Sequence, residues 1–121
     1  MLDHIIITVE DYEKSKAFYE QALEPLGYQV SMEFEQGCGF SVLEKPDFWI
    51  RQGDKVTPRI HVAFTSRDRE TVDAFHAAAL AAGGTDNGAP GLRPDYHPNY
   101  YGAFVFDPDG HNIEAVCHRP Q

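Results

Sequence analysis

Hydrophobic and polar positions alternate with a period of two in several short segments of the chain. From Ile5 to Val9 every second residue is a β-branched apolar one, and His4 starts the opposite face of the segment Leu2–Val9. The segment Ile60–Thr65 alternates in the same way, and His61 lies on the opposite face there. The pattern predicts two half-buried strands, each with a histidine near its start.

A pattern with helical period follows each of these strands. Apolar residues recur at i, i+3 and i+4 spacing, which is typical of an amphipathic helix packed on a sheet. Asp11 and Asp68 stand where the helices begin, and a carboxylate at that position can cap free backbone N–H groups. Gly27 and the pair Gly83–Gly84 stand where they end, because glycine readily adopts the left-handed C-cap conformation.

The rest of the chain contains shorter alternating segments, a hairpin and one irregular stretch. The sequence Asp-Pro-Asp-Gly at 107–110 predicts a tight turn between the last two strands. The stretch Asn87–Asn99 contains three prolines and two glycines, so we expect a functional loop there, preceded by a weak strand after Gly84. The other predicted strands are Tyr28–Phe34, Cys38–Leu43, Phe48–Arg51, Tyr100–Asp107 and Asn112–His118.

The two halves of the chain repeat one another. Residues 4–27 align with residues 61–84 without a gap, and nine of the 24 positions are identical. A fixed internal period indicates one supersecondary unit used twice. We therefore predict an α+β fold of two β-α-β-β-β modules, about 1–55 and about 56–121, within a single domain spanning residues 1–121.

Composition narrows the choice of partners. The chain is 42% hydrophobic and carries a formal net charge of −9, which disfavours nucleic acid and anionic membrane surfaces and favours a small-molecule partner. No segment has the length of a membrane span, and the N-terminus has no signal-peptide pattern, so we expect a cytoplasmic protein. Cys38 and Cys117 lack metal-site spacing and are expected to be reduced thiols near the core.

Three residues are candidate metal ligands. Alternation along the last strand directs Glu114 away from the helices, as it does His4 and His61 on the first strand of each module. Two imidazoles and one carboxylate form a set that holds a divalent ion and leaves positions open for substrate. The competing interpretation is that these are ordinary structural residues hydrogen-bonded within the protein.

Residues in or near the irregular stretch are candidates for catalysis and substrate binding. His97 can exchange a proton near neutral pH, and Tyr101 can hydrogen-bond a developing oxyanion, so we consider both as catalytic residues. Arg93 can bind a substrate carboxylate. Tyr100 and Trp49 are further candidates for substrate binding, Trp49 as an apolar wall of the site. The alternatives are core filling for the aromatic side chains and a surface position for Arg93 and His97.

Besides the double module, three segments of the chain are distinctive: DHIIITVEDYEKSKAFYEQAL, IHVAF and DPDGHNIEAV. In these features the chain resembles the vicinal oxygen chelate superfamily, which includes glyoxalase I, extradiol dioxygenases, fosfomycin-modifying enzymes and bleomycin-binding proteins. The resemblance covers the whole chain. It implies sheets curled into a cup, or partly open barrel, around one divalent ion (Fe, Mn, Ni or Zn). It also implies a homodimer, with His4, His61 and Glu114 as the ligands.

Departures from the family pattern bear on the reaction. Glyoxalase I has a fourth ligand, also used in proton transfer, on the last strand of the first module. The corresponding residues 48–51 contain no carboxylate, histidine or glutamine, and Asp47 comes too early. We therefore expect a metal-dependent enzyme, dioxygenase-like or lyase- or transferase-like rather than a true glyoxalase I. It would act on a small substrate that chelates the ion through adjacent oxygens.

Other interpretations remain open at the level of sequence. One is a metal-free protein that sequesters an antibiotic-like small molecule, and another is an interaction module with a degenerate site. His118, on the same strand face as Glu114, is a reserve ligand. The sequence does not determine the substrate, the metal, or whether the site closes within one chain or between two.

Overall fold

The computed structural model describes residues 1–121, with two helices and eight strands in the predicted order. The first module comprises β1 Ile5–Val9, α1 Tyr12–Ala22, a 3₁₀ turn Glu24–Leu26, β2 Gln29–Phe34, β3 Gly37–Ser41 and β4 Phe48–Gln52. The second comprises β5 His61–Thr65, α2 Arg69–Ala81, β6 Thr85–Leu92, β7 Tyr101–Phe106 and β8 Asn112–Cys117. The α+β fold of two β-α-β-β-β modules is thus confirmed.

The helix ends follow from local chemistry. The Asp11 side chain accepts a hydrogen bond from the backbone N–H of Lys14, and that of Asp68 accepts one from Thr71. Gly83 adopts a positive φ of 102° just after α2. The first helix stops at Ala22, earlier than expected, because the segment with Pro25 continues as a 3₁₀ turn before Gly27.

Each module forms its own four-stranded sheet with the same topology. The strand orders are β1-β4-β3-β2 and β5-β8-β7-β6, with the first pair parallel and the others antiparallel. β6 covers part of the stretch predicted as a loop, but its pairing with β7 is interrupted by register shifts between Asp86 and Gly91. Within one chain the two sheets remain separate and do not close into a barrel.

One hydrophobic core joins the two modules. It contains residues of both helices and both sheets, and Phe48 of the first module meets Phe64 of the second edge-to-face at 5.3 Å. The hydroxyl of Tyr19 on α1 also donates a hydrogen bond to buried Asp107, which follows β7. The helix-facing side of each sheet is therefore buried, and we call the opposite side of each sheet its open face.

No helix of the structure combines the length and apolar character needed to cross a membrane.

Candidate functional site

The open face of the second sheet carries a hydrogen-bonded carboxylate, imidazole and phenol. Nε2 of His61 lies 2.7 Å from Oε1 of Glu114. The hydroxyl of Tyr100, just before β7, donates to Oε2 of the same carboxylate. The Glu114 side chain is 1% exposed and that of His61 is 51% exposed. The imidazole therefore lies at the surface, above a carboxylate that is shielded from water.

Strand register brings these groups together. β5 and β8 are adjacent and parallel, with Ala63 paired to Glu114, so His61 two residues earlier lies on the same face. Gly102 on β7 leaves the space in which the phenol reaches the carboxylate. A Cβ at Gly102 would lie 3.2 Å from both Oε2 of Glu114 and a ring carbon of Tyr100.

The electrostatics of the group define the role of the phenol. Burial raises the pKa of Tyr100, and its hydrogen bond to Glu114 raises that pKa further. The hydroxyl therefore stays protonated and acts as a donor, not as a base. With a donor on one oxygen and His61 beside the other, the buried carboxylate of Glu114 has the partners that burial demands.

The donor types fit a divalent transition metal, but the set is incomplete within one chain. Imidazole nitrogen and carboxylate oxygen are ligands that Fe, Mn, Ni and Zn accept. No three His, Cys, Asp or Glu side chains of the chain are grouped closely enough to hold an ion. Any third protein ligand must therefore come from outside the chain or from a rearrangement.

His4 lies on the other sheet. It immediately precedes β1, its side chain is 45% exposed, and its Nδ1 is 2.6 Å from Oδ1 of Asp3. Together with Ile6 and Trp49 it lines a cleft of about 430 Å³ on the open face of the first sheet. The structure thus places His4 beside the cleft of the first sheet and does not bring it to His61 and Glu114.

Trp49 faces the same cleft. Its ring lies over Gly39 of β3, and the ring of Phe34 on β2 lies beside it with the two centroids 6.2 Å apart. Its neighbours on β4, Phe48 and Ile50, point into the core. The structure therefore supplies an apolar wall at Trp49 and no proton-transfer group beside it on β4. Asp47, the carboxylate that precedes β4, accepts a hydrogen bond from the hydroxyl of Tyr28.

The ring of Phe104 lies near both Arg93 and His61. The guanidinium carbon of Arg93 is 5.4 Å from the centre of the Phe104 ring, and that ring is 6.1 Å from the imidazole of His61. Nη2 of Arg93 donates to the carbonyl of Ala89 at 2.7 Å, and no carboxylate pairs with the guanidinium. This cation is available to an anionic ligand.

His97 reaches the site through Tyr100. The backbone N–H of Asn99 donates to Nδ1 of His97, so the ring proton resides on Nε2, which lies 2.6 Å from Nδ1 of His118. Both imidazoles pack edge-to-face on the Tyr100 ring, at 5.5 and 5.2 Å. His118, considered as a reserve ligand, is paired with His97 and not with Glu114.

Tyr101 is not brought to the site. Its hydroxyl donates to Oδ1 of Asp73 on α2 at 2.6 Å, and the guanidinium of Arg69 lies over its ring. Tyr101 therefore points to the helix side of the sheet, opposite to Tyr100. The reason is strand alternation, which directs adjacent residues of an extended segment to opposite faces.

Two contributors were missed at the level of sequence. Phe104 contacts both Arg93 and His61 on the open face, and Phe34 lies beside Trp49. The sequence contained a signal for Phe104. It lies two residues after Gly102, so both residues belong to the same face of β7, and β7 pairs with the strand that carries Glu114. Phe34 had no such signal, since its exposure depends on β2 being an edge strand.

Comparison with known proteins agrees with the fold and the repeat. The family model described as "Glyoxalase/Bleomycin resistance protein/Dioxygenase superfamily" matches residues 1–115. No curated protein gives a significant match. A solved glyoxalase/bleomycin resistance protein from Albidiferax ferrireducens T118 is 32% identical, with 99% of each chain covered and a TM-score of 0.83.

More distant solved structures share the fold. A glyoxalase/bleomycin resistance protein/dioxygenase family enzyme from Burkholderia phytofirmans PsJN is 22% identical, covering 96% of this chain and 97% of its own, with a TM-score of 0.74. The fosfomycin resistance protein FosX from Mesorhizobium loti is 20% identical, covering 98% and 92%, with a TM-score of 0.72. On the family model and the relative from Albidiferax, this chain belongs to the glyoxalase/bleomycin resistance protein/dioxygenase superfamily.

Proposed function

We propose that this protein is a divalent-metal-dependent enzyme that acts on a small substrate with two adjacent oxygen atoms. His61 and Glu114 of one copy and His4 of a second copy would hold the ion. The observation that carries the proposal is the 2.7 Å approach of an exposed imidazole to a buried carboxylate on an open sheet face. When bound, the ion would act as a Lewis acid on the substrate oxygens.

A second copy is proposed because both open faces are exposed in one chain. The first sheet exposes apolar side chains there, with Ile6 49%, Met32 54% and Phe34 57% exposed. A contiguous apolar face on a soluble protein marks a binding surface. If two copies pack the open face of one sheet against that of the other, His4 approaches His61 and Glu114 and a cup forms. Dimerisation would then assemble the site.

The surrounding side chains have separate roles in this proposal. Tyr100 orients the Glu114 carboxylate by donating to Oε2, so that Oε1 stays directed at His61. Arg93 binds a negatively charged part of the substrate. His97, with its proton on Nε2, is placed to give or accept a proton through His118 at the rim. Trp49 excludes water from the first sheet's side of the cup.

The reaction class proposed is dioxygenase-like or lyase- or transferase-like. β4 offers no acid–base side chain at the position where a glyoxalase I would place its fourth ligand, because Phe48 and Ile50 are buried in the core and Trp49 is apolar. Proton transfer in the manner of glyoxalase I therefore has no residue to perform it on that strand. Tyr101 is left out of the proposed machinery because it faces Asp73.

One observation favours a second candidate, a metal-free protein that binds a small molecule. The three proposed ligands all have partners within the protein: His4 contacts Asp3, and His61 contacts Glu114. A cup lined by the same apolar side chains would then sequester its ligand without chemistry.

Elemental analysis separates the two candidates. Untagged protein would be incubated anaerobically with Fe(II), Mn(II), Ni(II) or Zn(II), desalted and analysed, beside the variants His61→Ala and Glu114→Ala. The matched control is His76→Ala, because His76 also contacts a carboxylate, Asp86 at 2.9 Å, but away from the open face. We expect about one ion per chain in wild type and control, and none in the two site variants. No ion in folded wild type would favour the metal-free binder.

A further inference from the structure

The open face of the first sheet carries a flat aromatic surface built on glycines. The rings of Phe34 and Trp49 are inclined by only 27°, with centroids 6.2 Å apart. They lie against β3 at Gly37 and Gly39. A Cβ at Gly37 would come within 2.6 Å of the Phe34 ring, and one at Gly39 within 2.9 Å of the Trp49 ring. We call the two rings the aromatic platform.

The size of the adjoining cleft suits a small molecule. Its volume of about 430 Å³ lies in the range of small-ligand sites. It is bordered by Met32, Ile6 and Pro46 and by the ion pair of Lys45 with Asp3. His4 stands at its margin. A ring stacked on the platform would therefore lie beside the proposed metal ligand of the first sheet.

The open face of the second sheet adds an unpaired cation. The Arg93 guanidinium rests on Phe104 and over Gly88 and Gly91, where a Cβ would come within 3.3 and 3.1 Å of its nitrogens. Only backbone carbonyls accept its hydrogen bonds. An arginine offers five N–H donors in a planar fork, so donors remain for a ligand, and a carboxylate matches that fork.

We propose that the ligand of this protein is a planar aromatic carboxylate, whose ring stacks on the aromatic platform and whose carboxylate binds Arg93. The inference rests on the proposed function, since the platform and Arg93 belong to different sheets and share one ligand only when two copies join their open faces. A monoanion suits a chain of net charge −9 better than a phosphate or phosphonate dianion does.

The test uses three matched probes on metal-free, EDTA-treated protein. Cinnamate has both the ring and the charge, cinnamyl alcohol has only the ring, and 3-cyclohexylpropionate has only the charge. Isothermal calorimetry gives the affinities, and the fluorescence of Trp49, the single tryptophan of the chain, reports stacking directly. We expect cinnamate to bind at least about tenfold more tightly than either of the other probes.

Two variants test which side chain binds the carboxylate of the ligand and which binds its ring. Arg93→Met should abolish the preference for cinnamate over cinnamyl alcohol, whereas the control Arg67→Met should keep it, because Arg67 is exposed and bound to Asp68. Phe34→Leu should abolish the preference for cinnamate over 3-cyclohexylpropionate. Equal binding of all three probes by wild type, or unchanged preferences in the variants, would overturn the inference.

Metal content measured on the same preparations separates this inference from the proposed function. Tight cinnamate binding by protein that takes up no metal would leave the ligand class standing and reject the metal-dependent enzyme. Metal uptake without any preference for cinnamate would support the metal-dependent enzyme and reject the aromatic carboxylate as the ligand class. A chain that is monomeric in sedimentation at the assay concentration would contradict the inference, because the platform and Arg93 could not then meet on one ligand.

Discussion

His61 and Glu114 lie on adjacent parallel strands with Nε2 and Oε1 2.7 Å apart, the imidazole half exposed and the carboxylate buried. Burying a carboxylate is costly unless it is paired and hydrogen-bonded. In this fold the hydroxyl of Tyr100 donates a hydrogen bond to the second carboxylate oxygen and so offsets part of that cost.

Tyr100 and Tyr101 are neighbours in sequence that each donate to a carboxylate on opposite faces of the sheet. Tyr100→Phe would leave Oε2 of buried Glu114 without its donor, which should cost about 1–3 kcal/mol of unfolding free energy in metal-free protein. It should also weaken metal binding, because the carboxylate loses its orientation. Urea unfolding and metal titration measure the two effects.

Tyr101→Phe is the matched control for that substitution. It removes a hydroxyl from exposed Asp73, so we expect a smaller loss of stability and an unchanged metal affinity. Equal effects of the two substitutions on metal affinity would contradict the role assigned to Tyr100.

Gly39→Ala tests whether the platform depends on the absence of a side chain. The new Cβ would come within 2.9 Å of the Trp49 ring and 2.8 Å of Cβ of Pro46, so the ring must tilt outward. We expect a loss of about 1–3 kcal/mol in unfolding free energy and a red shift of tryptophan emission. In a Trp49→Leu background the same substitution should cost less. An equal cost in both backgrounds would show that the ring is not the obstacle.

Stability should fall in alkaline solution because five tyrosines have raised pKa values, and for one of them, Tyr101, the main cause is the hydrogen bond to Asp73. Burial is the main cause for Tyr12, Tyr19, Tyr28 and Tyr100, and nearby acidic groups add to it. A pKa raised on folding stabilises the protein fully below the unfolded value of about 10, and that contribution is lost as pH rises towards the folded value. Urea midpoints should therefore decline between about pH 9 and about pH 11.

Tyr28→Phe provides the check on that decline. This substitution removes one of the shifted phenols, together with its hydrogen bond to Asp47, so the variant should start less stable and decline less steeply. A wild-type midpoint that stays constant over this pH range would contradict the raised pKa values.

The sequence predicted those parts of the fold that depend on local pattern. Alternation placed His61 and Glu114 on the open face, and Asp11 and Asp68 cap their helices through side-chain oxygens, because both effects act within a few residues. The internal repeat predicted two equivalent modules, and the structure contains two sheets of the same topology.

Other parts depend on how modules pack and could not be predicted in this way. The repeat made His4 and His61 equivalent but did not indicate whether they meet, and in one chain they occupy different sheets. Tyr101 was assigned to the site from its place in a polar-rich segment, although adjacent strand residues face opposite ways. The prolines and glycines of Asn87–Asn99 predict a loop after a weak strand, yet β6 continues through Leu92 and pairs with β7 through bulges.

The most direct experiment determines whether two copies share the metal site. A chain carrying His4→Ala and a chain carrying Glu114→Ala would be co-expressed with different affinity tags, neither of them polyhistidine, and the mixed dimer isolated. A site shared between copies leaves one complete site per mixed dimer, so the mixed dimer should bind about half the metal of wild type, although each variant alone binds none. A mixed dimer without metal, beside a wild-type protein that binds it, would contradict the shared site.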